Sequence, residues 1–133
     1  MPTHVFTYGS LMFAPVWERV VQGAYRSAAA TLDQHVRFSL VDDTYPGMVA
    51  SAGSSVAGVV YFDVDAADLA ALDYFEGSEY RRTPVQLRLE DGAALAGQTY
   101  LFTALGRLSD QAWNPDTFAM ARFLDSYCRD KLG

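Results

Sequence analysis

The spacing of apolar and polar residues changes period several times along this chain, and the changes mark out its elements. Residues 4–8 (His-Val-Phe-Thr-Tyr) form a β-rich run that predicts a buried first strand. Gly9-Ser10 breaks it, and Pro15 marks a helix whose apolar face is Val16, Trp17, Val20 and Val21, ending near Gly23. Residues 25–32 and 36–41 predict two strands around Asp33-Gln34. Asp42-Asp43-Thr44 leads into Tyr45-Pro46-Gly47, which reads as a turn from its Pro-Gly pair. Residues 48–50 are a short strand, 51–55 a loop and 56–64 a longer strand. Gly58 inside the last marks a bulge or a close backbone approach. Residues 80–89 alternate, with Val85, Leu87 and Leu89 on one face and Gln86, Arg88 and Glu90 on the other. Asp91-Gly92 signals a hairpin, and residues 93–103 return as a strand carrying Tyr100 and Phe102. Residues 105–113 show no regular pattern. Asn114-Pro115 opens a last helix with core positions Met120, Ala121, Leu124, Tyr127 and Cys128. Many strands and few helices, not regularly alternating, give an α+β class with a largely antiparallel or barrel-like sheet.

The stretch from Asp65 to Arg82 carries the sharpest chemical signal. Asp65 is an N-cap candidate, with Asp68 favourable in the first turn of the helix that follows. Leu69, Leu72 and Phe75 form its apolar stripe, and Gly77 stops it. Glu76 lies seven residues after Leu69 and four after Leu72, so it projects from that stripe. Burial and the negative end of the helix dipole both disfavour its charge, which is how a Glu becomes an acid/base catalyst near neutral pH. The competing reading is that the helix end frays and Glu76 turns to water.

Composition narrows the function classes. Half of the 133 residues are hydrophobic, which predicts one folded domain spanning the chain. Sixteen acidic residues against ten basic ones give a net charge of −6, with Lys131 the sole lysine, so neither nucleic acid nor an anionic membrane surface is an expected partner. No apolar run approaches a membrane span and no signal peptide is evident, and Cys128 has no partner for an internal disulfide, so a cytoplasmic location is expected. His4 and His35 each stand alone in a strand, which argues against a His-based triad and, with a single Cys, against zinc. No metal or cofactor is expected. Asp42-Asp43 and Asp63/Asp65/Asp68 are explained by turn and cap roles. Arg81 and Arg82 alternate in a strand, so one faces inward and needs a carboxylate, either a structural partner or a substrate. The residues Tyr8-Gly9-Ser10-Leu11 sit between strand and helix, where successive backbone N–H groups can converge on an anion or a developing oxyanion.

These segments together resemble the γ-glutamylcyclotransferase-like superfamily, especially its AIG2-like and γ-glutamylamine cyclotransferase branch. The resemblance rests on the first strand running into Tyr8-Gly9-Ser10-Leu11, on Leu72-Asp73-x-Phe75-Glu76-Gly77 followed by Glu79-Tyr80-x-Arg82, on Tyr45-Pro46-Gly47, and on Val56-x-Gly58-x-Val60-Tyr61. It implies a small mixed, largely antiparallel β-barrel with flanking helices. It also implies Glu76 as the catalytic glutamate and Tyr8, Gly9, Ser10 and Leu11 as the substrate loop. Tyr80, Arg82 and Tyr100 are further candidates for the pocket. The activity implied is intramolecular cyclisation of a small γ-glutamyl substrate to 5-oxoproline with release of an amine, without cofactor, metal or covalent intermediate. The rival readings are a non-catalytic module that binds a small carboxylate in the same cavity, and a structural partner protein.

Overall fold

The first strand organises the architecture because it is buried on both faces. The structure is a computed structural model that describes residues 3–41 and 45–115. In it β1 (Thr3–Thr7) pairs antiparallel with β3 (Pro46–Val64) on one side and parallel with β5 (Ala94–Phe102), through Val5 and Gln98, on the other. β5 runs antiparallel to β4 (Tyr80–Leu89), and β4 meets β2 (Ser27–Leu40) at Ala30–Leu89. β2 pairs with β3, which closes a five-stranded mixed barrel, and β6 (Leu108–Ala112) extends the sheet along β2. Among the described residues the α-helices are α1 (Ala14–Val20) and α2 (Ala66–Glu76). Neither is long and apolar enough to cross a membrane. This is the expected barrel with flanking helices.

Strand alternation divides the core in two. Val5 enters a helix-side core with Val16, Trp17, Val20, Val64, Leu72 and Phe75. Phe6 enters the barrel interior with Leu32, Met48, Val56, Val60 and Leu87. Trp17 stacks on Tyr61 with ring centroids 3.6 Å apart, tying α1 to the barrel wall. Gly58 provides the close approach expected of it: a Cβ there would overlap the Thr7 carbonyl oxygen and stand 2.8 Å from the Phe6 ring.

Several expected boundaries are corrected. The two strands expected around Asp33-Gln34 are one strand, which begins at Ser27 rather than at residue 25. The loop expected at 51–55 lies inside β3, and Pro46-Gly47, expected as a turn, opens that strand. The first two misreadings have one cause. The β2–β3 register shifts between Asp33–Ser55 and His35–Ala50, with Gln34 at φ 65° and Gly53 at φ 86°. The ladder absorbs turn-like residues as a bulge without ending. Residues 105–113, expected to be irregular, contain β6, an outer strand held to β2 at Phe38–Ala112 and Leu40–Leu108. The turn residues 42–44, and the last helix with Met120, Ala121, Leu124, Tyr127 and Cys128, lie outside the described residues.

α2 is fixed at both ends. The Asp65 side chain accepts from the Asp68 backbone N–H at 2.8 Å, the expected N-cap, and Gly77 at φ 80° ends the helix with its N–H on the Asp73 carbonyl. Asp68 does more than favour the helix terminus. Its buried carboxylate accepts from the N–H groups of Gln22 and Gly23, each at 2.9 Å, and from the Tyr25 hydroxyl at 2.6 Å, pinning α2 to the segment after α1. Burial alone would push its carboxyl up, but these three donors outweigh it and hold the group below its ordinary value. The Tyr25 hydroxyl, pushed up to about 12 by burial and by this bond, remains a donor.

A carboxyl held low stabilises the fold above its unfolded value of about 3.9, and that contribution is lost as pH falls through the lower folded value. Asp68→Asn removes one acceptor and turns an amide N–H₂ toward donors, so it should lower stability at pH 7 by about 1–3 kcal/mol. In urea unfolding the gap between parent and variant should close on acidification below about pH 4. A gap that is absent at pH 7, or that widens in acid, would contradict the pin.

Candidate active site

The end of β1 opens on a concave site built from five parts of the chain. The cavity is lined by Phe6 and Thr7 of β1, Tyr8, Gly9, Ser10 and Leu11 after it, and Tyr45 and Pro46 at the start of β3. Phe75 and Glu76 at the end of α2, Tyr80 at the start of β4 and Tyr100 of β5 complete it. Each position follows from local rules. β1 must end where Gly9 leaves the ladder for a short 3-10 turn at Ser10–Met12. The cap at Gly77 ends α2 one residue after Glu76. The β4–β5 ladder pairs Arg82 with Tyr100, two residues in from Tyr80–Phe102.

Hydrogen bonds hold the wall in shape. The Tyr8 hydroxyl donates to the Tyr100 carbonyl oxygen at 2.6 Å, and the Tyr80 hydroxyl donates to the Pro46 carbonyl oxygen at 2.8 Å. The Tyr100 hydroxyl donates to Asp73 Oδ1 at 2.6 Å. Asp73 also receives the Arg82 Nε–H at 2.9 Å, and a second Arg82 nitrogen donates to Gln98 Oε1 at 2.8 Å.

The electrostatics are those of an aromatic site around one acid. Among the described residues that line the cavity, Glu76 is the one with an ionisable carboxylate, and none is Lys, Arg or His. Burial pushes the Tyr8 hydroxyl well up, and the Glu76 charge adds to the effect. Tyr100 is raised by burial, by its bond to Asp73 and by Glu76, and Tyr45 by burial with Glu79 and Glu76. The three phenols therefore stay protonated, within electrostatic reach of Glu76. No group of three His, Cys, Asp or Glu side chains placed to hold a metal ion occurs among the described residues.

A sequence model of the family described as "Gamma-glutamyl cyclotransferase, AIG2-like" matches residues 5–116. The chain belongs to that family. AIG2-like protein D of Arabidopsis thaliana is 36% identical over 100 residues, a match covering 74% of this chain and 66% of the relative. AIG2-like protein A of the same plant is 34% identical over 100 residues, covering 74% and 61%. The match thus spans just under two thirds of the length of these relatives. Among solved structures, the solution structure of an Arabidopsis thaliana protein superposes with a TM-score of 0.73 at 27% identity, covering 96% of this chain and 89% of that one. A structure described as a gamma-glutamyl cyclotransferase gives 0.67 at 22% identity, covering 77% and 68%, a likeness of fold.

The structure of this AIG2-like chain brings Tyr8, Gly9, Ser10, Leu11, Glu76, Tyr80 and Tyr100 onto one cavity wall. Arg82 is not among the lining residues; its guanidinium reaches the cavity only through Asp73 and Tyr100. The inward arginine of the Arg81-Arg82 pair therefore has the carboxylate partner it was expected to need, and that partner is Asp73. Tyr45 and Pro46, a turn by their sequence and part of the family resemblance through Tyr45-Pro46-Gly47, are also lining residues. Phe6, Thr7 and Phe75 also line the cavity, which their sequence pattern does not distinguish from core or strand positions, because a residue facing a cavity has the same period as one facing a core.

The reason for glycine at position 9 also becomes specific. A Cβ there would stand 2.7 and 2.8 Å from Pro46 Cδ and Cγ, so Gly9 makes room for the ring whose carbonyl anchors Tyr80. Gly9→Ala should therefore displace Pro46 and lower stability by about 1–3 kcal/mol, as overpacking does. Urea unfolding checks it, and a Gly9→Ala variant as stable as the parent would show that this packing is not tight.

Proposed function

We propose that the protein is a γ-glutamyl cyclotransferase that converts a small γ-glutamyl amide or amine into 5-oxoproline and a free amine, with Glu76 as its general acid/base. One observation carries the reading: a single carboxylate among the described lining residues stands in an aromatic cavity that the Tyr8–Leu11 loop also lines. Family membership supports the reaction class.

The chemistry asks little else of the chain. The α-amine of the γ-glutamyl group attacks its own γ-carbonyl carbon, forming a five-membered ring. The bond from that carbon to the leaving nitrogen then breaks. Nucleophile and electrophile share one molecule, so holding a folded conformer supplies several kcal/mol of the barrier reduction. Only the neutral amine attacks, so Glu76 takes a proton from the α-ammonium and returns one to the leaving amine. Backbone N–H groups of the Tyr8–Leu11 loop hold the substrate carboxylate or the oxyanion that develops on the carbonyl oxygen. This assignment suits a wall without a basic side chain among its described residues. Tyr80 and Tyr100 shape the pocket, and Arg82 acts on it from behind through Asp73.

Incubation with a panel of γ-glutamyl donors, assayed for 5-oxoproline, tests the reading and names the leaving group. Saturable binding of donors without product would instead support a non-catalytic carboxylate-binding module. With a donor that is turned over, Glu76→Gln should keep the fold and lose about 10²–10⁴-fold in rate. A folded variant that retains more than about a tenth of the parent rate would remove Glu76 from the mechanism.

A further inference from the structure

Behind the substrate loop, on β2, a cation holds the backbone of the first cavity-lining tyrosine. One guanidinium nitrogen of Arg37 donates to the Tyr8 carbonyl oxygen at 2.6 Å and to the Ala57 carbonyl oxygen at 3.1 Å. The guanidinium also lies over the Trp113 ring, 5.2 Å from its centroid. Arg37 is half-buried and is not among the residues lining the cavity, whereas Tyr8 and Gly9 both are. The carbonyl it holds and the Gly9 N–H belong to one peptide unit. That unit is trans, as are all those of the described residues, so the two dipoles point in opposite directions. A carbonyl drawn back to Arg37 turns the Gly9 N–H away from it.

We propose that Arg37 is a positioning residue: it fixes and polarises the Tyr8–Gly9 peptide so that the Gly9 N–H is held toward the cavity as a hydrogen-bond donor. What that donor acts on rests on the cyclotransferase reading above, in which the loop amides hold the substrate carboxylate or the oxyanion. Three features carry the inference. The bond is charge-assisted and short, and such bonds are about twice as strong as neutral ones. Hydrogen bonding at the oxygen of a peptide makes its N–H a better donor, because the polarisation is cooperative. Aromatic packing against Trp113 and the second bond to Ala57 hold the guanidinium in place, so the loop is oriented before a ligand arrives. A residue serving only to join β2 to the end of β1 would need none of this directionality.

The test has an arm that needs no substrate. In the free protein, Arg37→Met should move the Tyr8 carbonyl carbon and the Gly9 amide resonances upfield relative to the parent, while Arg37→Lys, which keeps a cationic donor, should move them less. Arg88→Met, which breaks an exposed pair with Asp33, serves as a control and should leave both resonances in place. With a donor that is turned over, Arg37→Met should lower kcat/KM about tenfold or more, short of the 10²–10³-fold typical of losing an oxyanion donor outright. Arg37→Lys should recover part of it. A fall in kcat would place the N–H on the oxyanion, and a rise in KM would place it on the substrate carboxylate.

Folded, uncharged Arg37 variants with unmoved Tyr8 and Gly9 resonances would overturn the proposal. So would variants that lose thermal stability yet keep the parent kcat/KM. Moved resonances in a protein that turns over no donor would support the positioning contact and count against the cyclotransferase reading alone. If the Met variant fails to fold, Arg37→Gln, which loses the charge but stays polar, carries both arms.

Discussion

The structure depends on one steric constraint, that β1 is buried on both faces between β3 and β5. Val5 and Phe6 are each fully buried and point into different cores. A slip of one residue would exchange those cores, both apolar, so the register is set by the fit of Val5 and Phe6 to their own surroundings. Gly58 makes the constraint possible, since a side chain there would overlap the Thr7 carbonyl. Because β1 cannot slide, its end cannot either, and the Tyr8–Leu11 loop emerges at a fixed place on the barrel rim.

The second half of the site is placed by a different kind of force. α2 delivers Glu76 to the cavity, and short polar contacts set its ends: Asp65 and Asp68 at the start, Gly77 and the Asp73 carbonyl at the finish. Within its last turn, three side chains divide the work. Phe75 is buried in the helix-side core, Asp73 joins Arg82 and the Tyr100 hydroxyl, and Glu76 lines the cavity. Core, support and cavity wall thus draw on four consecutive positions. The loop and the helix end are independent constructions that meet only in the folded barrel.

Local chemistry was legible in the sequence where it was self-contained. The N-cap of Asp65, the stop at Gly77, the alternation of β4 and the close approach at Gly58 each follow from one residue type and its neighbours. Position along the Leu69–Leu72 stripe marks Glu76 as a candidate beside the reading of a frayed helix end, and the structure puts it on the cavity wall. What could not be read depended on distant partners. The β2–β3 ladder crosses Gln34 and Gly53 without breaking, because its two halves hold it from either side of a shifted register. β6 carries the polar run Ser109-Asp110-Gln111 and exists through its pairing with β2. Arg82 looks from its position like a residue for the pocket, and only the fold reveals that Asp73 holds it. Arg37 gave no signal at all, since an arginine in a strand is ordinary until a carbonyl 29 residues away is found against it.

The central proposal is that Glu76 carries protons in the cavity and that its charge is not what stabilises the fold. The pH dependence of stability separates these directly, without a substrate. A carboxylate that titrates above its unfolded value of about 4.3 lowers native-state stability as pH rises past that value, and one held below it does the reverse. The Glu76→Gln side chain is neutral and nearly the same shape, so it escapes that loss. Parent and variant should be compared by urea unfolding between pH 4 and pH 8, where other titrating groups largely cancel in the difference. The account predicts a Glu76→Gln variant at least as stable as the parent at pH 8, with the gap shrinking toward pH 4. A variant less stable than the parent at pH 8, whose deficit closes in acid, would show instead that the Glu76 charge holds the fold together, and would contradict the acid/base role.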